Sequence, residues 1–142
     1  MSPETARACI LAGAEFLVSP NLNVKVVEMT RRYSKVSVPA GLTPTEILTA
    51  WEAGADFVKV FPCSAMGGAD YIKALKAPLP QVELLPTGGV SLENCGSFFK
   101  AGAAAVAVGG ELVDRKAVQE QRWDAVAATA RKFADAVKRA RA

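Results

Sequence analysis

Lys59 lies in Phe57-Val58-Lys59-Val60-Phe61, an ionisable residue with apolar neighbours on both sides. In a strand, Phe57, Lys59 and Phe61 point to one face and Val58 and Val60 to the other. A central parallel strand, buried on both faces, offers an ammonium no easy route to water. Burial disfavours the charged form and lowers a lysine pKa from its reference of about 10.4, leaving a neutral amine able to attack a carbonyl carbon. That is the chemistry of a Schiff-base lysine. The competing reading is a lysine near a strand end that snorkels to water or pairs with a carboxylate, and spacing alone leaves both open.

Two glycine pairs are the second signal. Pro86-Thr87-Gly88-Gly89-Val90 and Val108-Gly109-Gly110-Glu111 each follow an apolar run and lead into helical sequence. Paired glycines let an anion approach backbone N–H groups with no Cβ in the way, and a helix start behind them adds partial positive charge. One pair is as easily a tight turn. Two pairs at consecutive strand ends favour a phosphate site shared by adjacent loops.

Other chemistries are excluded or weak. The 142 residues contain no histidine, which removes Ser/His/Asp and Cys/His triads and imidazole-dependent zinc sites. Cys9, Cys63 and Cys95 are an odd, scattered set, so no disulfide framework is expected. Cys63 follows Phe61-Pro62 at the strand end but has no base to activate it, and reads as a bystander. Glu111, beside the second glycine pair, reads as structural; Glu46, Glu52 and Glu93 fall on helices as capping or solvated residues. Trp51 and Trp123 read as packing residues. A net charge of +3, with its basic surplus confined to Arg131, Lys132, Lys138, Arg139 and Arg141, does not describe a nucleic-acid surface. No apolar run approaches the roughly 18 residues of a membrane helix, so a soluble, cytoplasmic chain without a membrane partner is expected.

The elements that must hold these residues show in a repeat. Ala12-Gly13-Ala14-Glu15-Phe16-Leu17-Val18, Ala53-Gly54-Ala55-Asp56-Phe57-Val58-Lys59-Val60-Phe61 and Ala101-Gly102-Ala103-Ala104-Ala105-Val106-Ala107-Val108 each read as a helix end closed by glycine and a following strand. Val36 to Pro39 and Val82 to Leu85 add two more strands, making five. Ser2-Pro3-Glu4, Thr43-Pro44-Thr45-Glu46 and Ser91-Leu92-Glu93 are helix starts. A last helix over about 119–140 sets Trp123, Val126, Ala130, Phe133 and Val137 on one stripe. Alternating helices and strands predict an α/β domain with a parallel sheet. Length favours a five-stranded doubly wound sheet; glycine turns after the last two strands favour part of a (β/α)₈ barrel, where phosphate sites follow strands 7 and 8.

The runs Glu15-Phe16-Leu17-Val18-Ser19-Pro20, Pro39-Ala40-Gly41-Leu42-Thr43-Pro44-Thr45-Glu46, Val58-Lys59-Val60-Phe61-Pro62 and Pro86-Thr87-Gly88-Gly89-Val90 resemble, in order and spacing, the 2-keto-3-deoxy-6-phosphogluconate (KDPG/KHG) aldolases. The resemblance implies a class I aldolase, without cofactor or metal, cleaving a phosphorylated 2-keto-3-deoxy sugar acid to pyruvate and an aldehyde. It implies a (β/α)₈ barrel, of which residues 1–142 form one partial domain carrying strands 4 to 8, and a homo-oligomer, a trimer in the family. Lys59 aligns with the Schiff-base lysine; Thr87, Gly88 and Gly89 align with the first phosphate turn, Gly109 and Gly110 with the second. The family often has Gly-x-Gly-Ser at the second turn, and here Ala107-Val108-Gly109-Gly110 lacks the hydroxyl. Family members carry three further strands ahead of these, with a general-base glutamate and a carboxylate-binding arginine. The alternative to a working aldolase is therefore an impaired fragment that only binds phosphate or sugar acid.

Overall fold

The computed structural model describes residues 2–141 and alternates helix and strand: α1 (Pro3–Leu11), β1 (Phe16–Val18), α2 (Val24–Arg32), β2 (Val36–Val38), β3 (Ala40–Gly41), α3 (Pro44–Glu52), β4 (Val58–Val60), α4 (Ala69–Lys76), β5 (Leu84–Pro86), α5 (Cys95–Lys100), α6 (Arg115–Gln119) and α7 (Trp123–Arg141). Every strand pairing is parallel. β1 pairs with β2, and β3, β4 and β5 follow in that order. β2 and β3 are one stretch of chain interrupted by Pro39, which has no N–H to give to a ladder. Its carbonyl still accepts from the Lys59 N–H at 2.8 Å, so pairing runs on through the interruption.

The expected fifth strand, Ala104 to Val108, reduces to one bridge between Thr87 and Ala107. The Ala104 and Ala107 N–H groups bond to the Leu84 and Pro86 carbonyls, but no described strand lies on the far side to extend the ladder.

Strand order follows chain order without reversal. A doubly wound sheet reverses at a switch point, and right-handed crossovers that all step in one direction leave the helices on one face. The sequence expectation that strands are buried on both faces is corrected accordingly. Val58, Val60 and Leu84 are fully buried beneath the helices, around Ile47, Ile72, Val82 and Phe98. On the opposite face Phe16 is 63% exposed, Val18 43% and Val36 40%.

The helix starts form largely as their sequences dictate. Ser2 caps α1 by accepting from the Thr5 N–H. At α3, Thr43 and Glu46 form a reciprocal capping box with Pro44 in the first turn. Ser91 does not cap a helix directly. It closes a turn over residues 91–94, with α5 beginning only at Cys95. In α7, Phe133 is buried and Val126, Ala130 and Val137 are partly buried, whereas Trp123 is 58% exposed. Trp123 begins the helix beside the polar turn at residues 120–122, beyond the body's apolar surface. Trp51 packs on the core as expected. Among the described residues no helix is long and apolar enough to cross a membrane.

Candidate active site

Lys59 is the middle residue of β4, where the pleat sends Val58 and Val60 into the core and the lysine to the open face. Its strand neighbours in register are Ala40 and Leu85. The side chain is half-buried, not sealed as a strand covered on both faces would have made it. Its Nζ lies over the Phe61 ring, 4.5 Å from the centroid. Burial pushes the Lys59 pKa below the ordinary amine value. Among the described residues no carboxylate forms an ion pair with it.

Phe61 also borders the first glycine turn. A Cβ placed on Gly88 would lie 3.7 Å from the Phe61 ring, so one aromatic side chain lies over the amine and beside the turn. Thr87 continues β5 into that turn. Its N–H bonds to the Val60 carbonyl and its carbonyl accepts from the Cys63 N–H, each at 3.0 Å. Gly88 and Gly89 both have positive φ, +90° and +73°. Gly89 is further required by a close approach, because a Cβ there would sit 2.4 Å from the Ser64 Cβ. The Gly89 N–H donates to no described residue.

The second turn follows the Thr87–Ala107 bridge, so the parallel pairing brings both turns to the carboxyl ends of neighbouring strands. Gly109 and Gly110 are exposed, and neither N–H donates to a described residue. The Gly109 carbonyl accepts from the Leu112 and Val113 N–H groups, folding the turn back on itself. The helix starts expected directly behind the turns are displaced. α5 begins six residues after Gly89, and α6 is a five-residue helix capped by Asp114. The groups open at these turns are therefore backbone N–H groups and not helix ends.

A cavity of about 550 Å³ opens at the carboxyl ends of β1, β3 and β4, lined among others by Pro20, Leu22, Gly41, Glu46 and Phe61. Cys63 is fully buried, its thiol bonded to the Gly68 carbonyl and its pKa pushed up to about 11 by burial. Glu46 is committed to the α3 cap, where Oε2 accepts from the Leu42 and Thr43 N–H groups and the Thr43 hydroxyl. Glu111 is exposed.

Two neighbours of the turns escaped the sequence reading. Ser64 packs against Gly89, and nothing in Phe61-Pro62-Cys63-Ser64 announces that contact. Asn94 donates from Nδ2 to the Gly89 carbonyl at 2.7 Å, and the Ser91-x-x-Asn94 spacing was an available sign of a local reciprocal turn.

The KDPG and KHG aldolase family model matches residues 1–129. The chain belongs to that family. It is 34% identical over 137 residues to the 2-dehydro-3-deoxy-phosphogluconate aldolase of Haemophilus influenzae, covering 94% of this chain and 65% of that protein. It is 36% identical over 138 residues to the 2-dehydro-3-deoxy-6-phosphogalactonate aldolase of Escherichia coli, covering 96% and 67%. The chain thus spans about two thirds of the length of these relatives. Among solved structures, the KDPG aldolase of Legionella pneumophila, with pyruvate captured as a covalent carbinolamine intermediate, superposes with a TM-score of 0.82 at 25% identity, covering 94% of this chain and 64% of that one.

Proposed function

We propose that this chain carries the amine and the phosphate turns of a class I aldolase acting on 2-keto-3-deoxy-6-phosphogluconate or a related sugar acid. The observation that carries the reading is the placement of the Lys59 amine and the Gly88 turn beside the same Phe61 ring. It sets a nucleophile and a strip of open N–H groups against one ring, as a substrate with a ketone at one end and a phosphate at the other requires. The captured pyruvate in the Legionella relative supports the same bond for Lys59.

In the reaction, the neutral Lys59 amine adds to the C2 ketone to give a carbinolamine, and loss of water leaves a protonated imine. The imine accepts the electron pair of the C3–C4 bond as it breaks. The C4 hydroxyl gives up its proton, the aldehyde departs, and an enamine of pyruvate remains. Protonation at C3 and hydrolysis release pyruvate and the free amine. Thr87, Gly88, Gly89, Gly109 and Gly110 hold the phosphate.

Strands in chain order with helices on one face suit a segment of a (β/α)₈ barrel, and we read residues 1–142 as one such partial domain. Proton transfer at C4 and C3 needs a positioned carboxylate or water, typically worth about 10² to 10⁴ in rate. Glu46 is occupied by its cap and is not free to serve as that carboxylate. Borohydride trapping with pyruvate, read by intact mass and by the modified residue, tests the reading. An adduct on Lys59 supports it, and a folded chain that gives none leaves only a binding module.

A further inference from the structure

The carbonyl at the end of the first glycine turn, that of Gly89, is held by a single side-chain amide. Asn94 uses both ends of its side chain. Oδ1 accepts from the Ser91 N–H at 2.8 Å, and Nδ2 donates to the Gly89 carbonyl at 2.7 Å. The Ser91 hydroxyl in turn accepts from the Asn94 N–H at 3.4 Å. Satisfying both partners takes an acceptor and a donor, which excludes a carboxylate, and the amide presents the two on separate atoms, one toward each partner.

A peptide unit is planar and trans, so fixing the Gly89 carbonyl on Asn94 also turns the Val90 N–H to the opposite side and restricts the torsion between it and the Gly89 N–H. Neither N–H has a described partner. Two consecutive glycines at positive φ would otherwise let these peptides rotate cheaply. The Gly88 N–H is directed separately, because the carbonyl of the same peptide unit, that of Thr87, accepts from the Cys63 N–H, whereas the contact of Gly89 with Ser64 blocks a Cβ but gives the Gly89–Val90 peptide no direction. Preorganised donors bind a charge more strongly than donors that must first be ordered.

We propose that Asn94 is a positioning residue for the phosphate end of the substrate, keeping the Gly89–Val90 peptide in the orientation that presents the Gly89 and Val90 N–H groups to an anion. It touches neither substrate nor amine. This rests on the aldolase reading of the two turns and names the residue that sets how tightly one of them grips.

The test uses the full chain, labelled with ¹⁵N and titrated with inorganic phosphate while the amide signals of Gly88, Gly89, Val90, Gly109 and Gly110 are followed. Pyruvate trapping at Lys59 serves as the control, because pyruvate carries no phosphate. Asn94→Ala should weaken phosphate at least tenfold and leave trapping within twofold of wild type. Asn94→Asp keeps the acceptor for Ser91 and loses the donor for Gly89, so it preserves the local turn should the alanine variant not fold. It should show the same loss. Asn94→Gln, which keeps both functions, should recover most of the affinity. Phosphate binding within twofold of wild type in Asn94→Ala or, where that variant does not fold, in Asn94→Asp overturns the proposal. A wild-type chain whose turn amides do not respond to phosphate overturns the phosphate reading itself and this inference with it, whatever the trapping result.

Discussion

The Lys59 Nζ lies 4.5 Å from the centroid of the Phe61 ring, two residues along the same strand face. The pleat alone dictates that these side chains are neighbours, since residues i and i+2 share a face. The ring has two opposed effects. Its face attracts an ammonium, by about 0.5–1 kcal/mol at exposed sites, and its bulk removes water from the amine. Burial of the amine lowers the Lys59 pKa below the ordinary amine value.

The pH dependence of imine formation follows in sign. Attack requires the neutral amine, so the rate of trapping with pyruvate rises with pH through the Lys59 pKa. That midpoint should fall below the value of about 10.4 for a free lysine side chain. Phe61→Ala admits water to the amine and should move the midpoint back toward the free value. Lys59→Met should abolish the adduct without loss of stability, since it removes a charge that folding desolvates. Trapping rates across pH, with thermal unfolding of the methionine variant, check these outcomes. A midpoint at the free-lysine value would contradict the burial seen here.

The glycines of the two turns should respond differently to substitution. Gly89→Ala places a Cβ 2.4 Å from the Ser64 Cβ at a φ of +73°, and should cost about 1–3 kcal/mol of stability together with phosphate binding. Gly110 has no positive φ, and a Cβ there meets nothing within 4 Å. Gly110→Ser should therefore fold as well as wild type, and by supplying the hydroxyl often found at this place in the family it should tighten phosphate severalfold. Urea unfolding and phosphate titration of both variants separate the two effects.

What was legible in the sequence was whatever local chemistry decides. The Thr43-Pro44-Thr45-Glu46 start, the alternation around Lys59 and the glycine pairs after strands all rest on interactions within a few residues of chain. What was misread depended on which side of the sheet is covered. Apolar runs such as Phe16-Leu17-Val18 read as strands buried twice over, yet one-directional crossovers put every helix on one face and leave Phe16 exposed. Trp123 was misjudged for a related reason: helical spacing marks a stripe without showing where the body beneath it ends. In the site, Lys59 and the turns were visible by type, whereas Ser64 and Asn94 act through contacts set by how one loop lies on another.

The cysteines should divide by burial. Cys63 is fully buried with its pKa pushed to about 11, and Cys95 is buried and shifted in the same direction, while Cys9 is exposed. The thiolate is the reactive form, so a mildly alkaline alkylation of the native chain should label Cys9 alone, with the other two reacting only after unfolding. Peptide mass mapping before and after denaturant reads this directly. Rapid native labelling of Cys63 would mean that the segment beside Lys59 opens far more easily than its packing indicates.

The capping box at α3 carries a pH dependence of the same sign as that of Lys59, stability rising with pH, but in the acid range. The Thr43 and Leu42 N–H groups and the Thr43 hydroxyl hold the Glu46 carboxyl below its ordinary 4.5. A carboxylate whose folded pKa is depressed contributes stability that is fully present above its unfolded pKa and is lost as pH falls through the folded value. Glu46→Gln keeps an acceptor but not the charge, so at about pH 7 it should be the less stable chain, and the difference should close as pH falls through the lowered folded pKa of Glu46. Thr43→Ala removes the other half of the box and should cost about 0.5–2 kcal/mol, typical of a lost N-cap, at either pH. Because α3 packs Ile47 and Ala50 into the same core as Val58 and Val60, this loosening should reach β4. Pyruvate trapping at Lys59 should therefore slow in Thr43→Ala as the chain approaches its unfolding midpoint, and at a temperature well below it should remain at the wild-type rate.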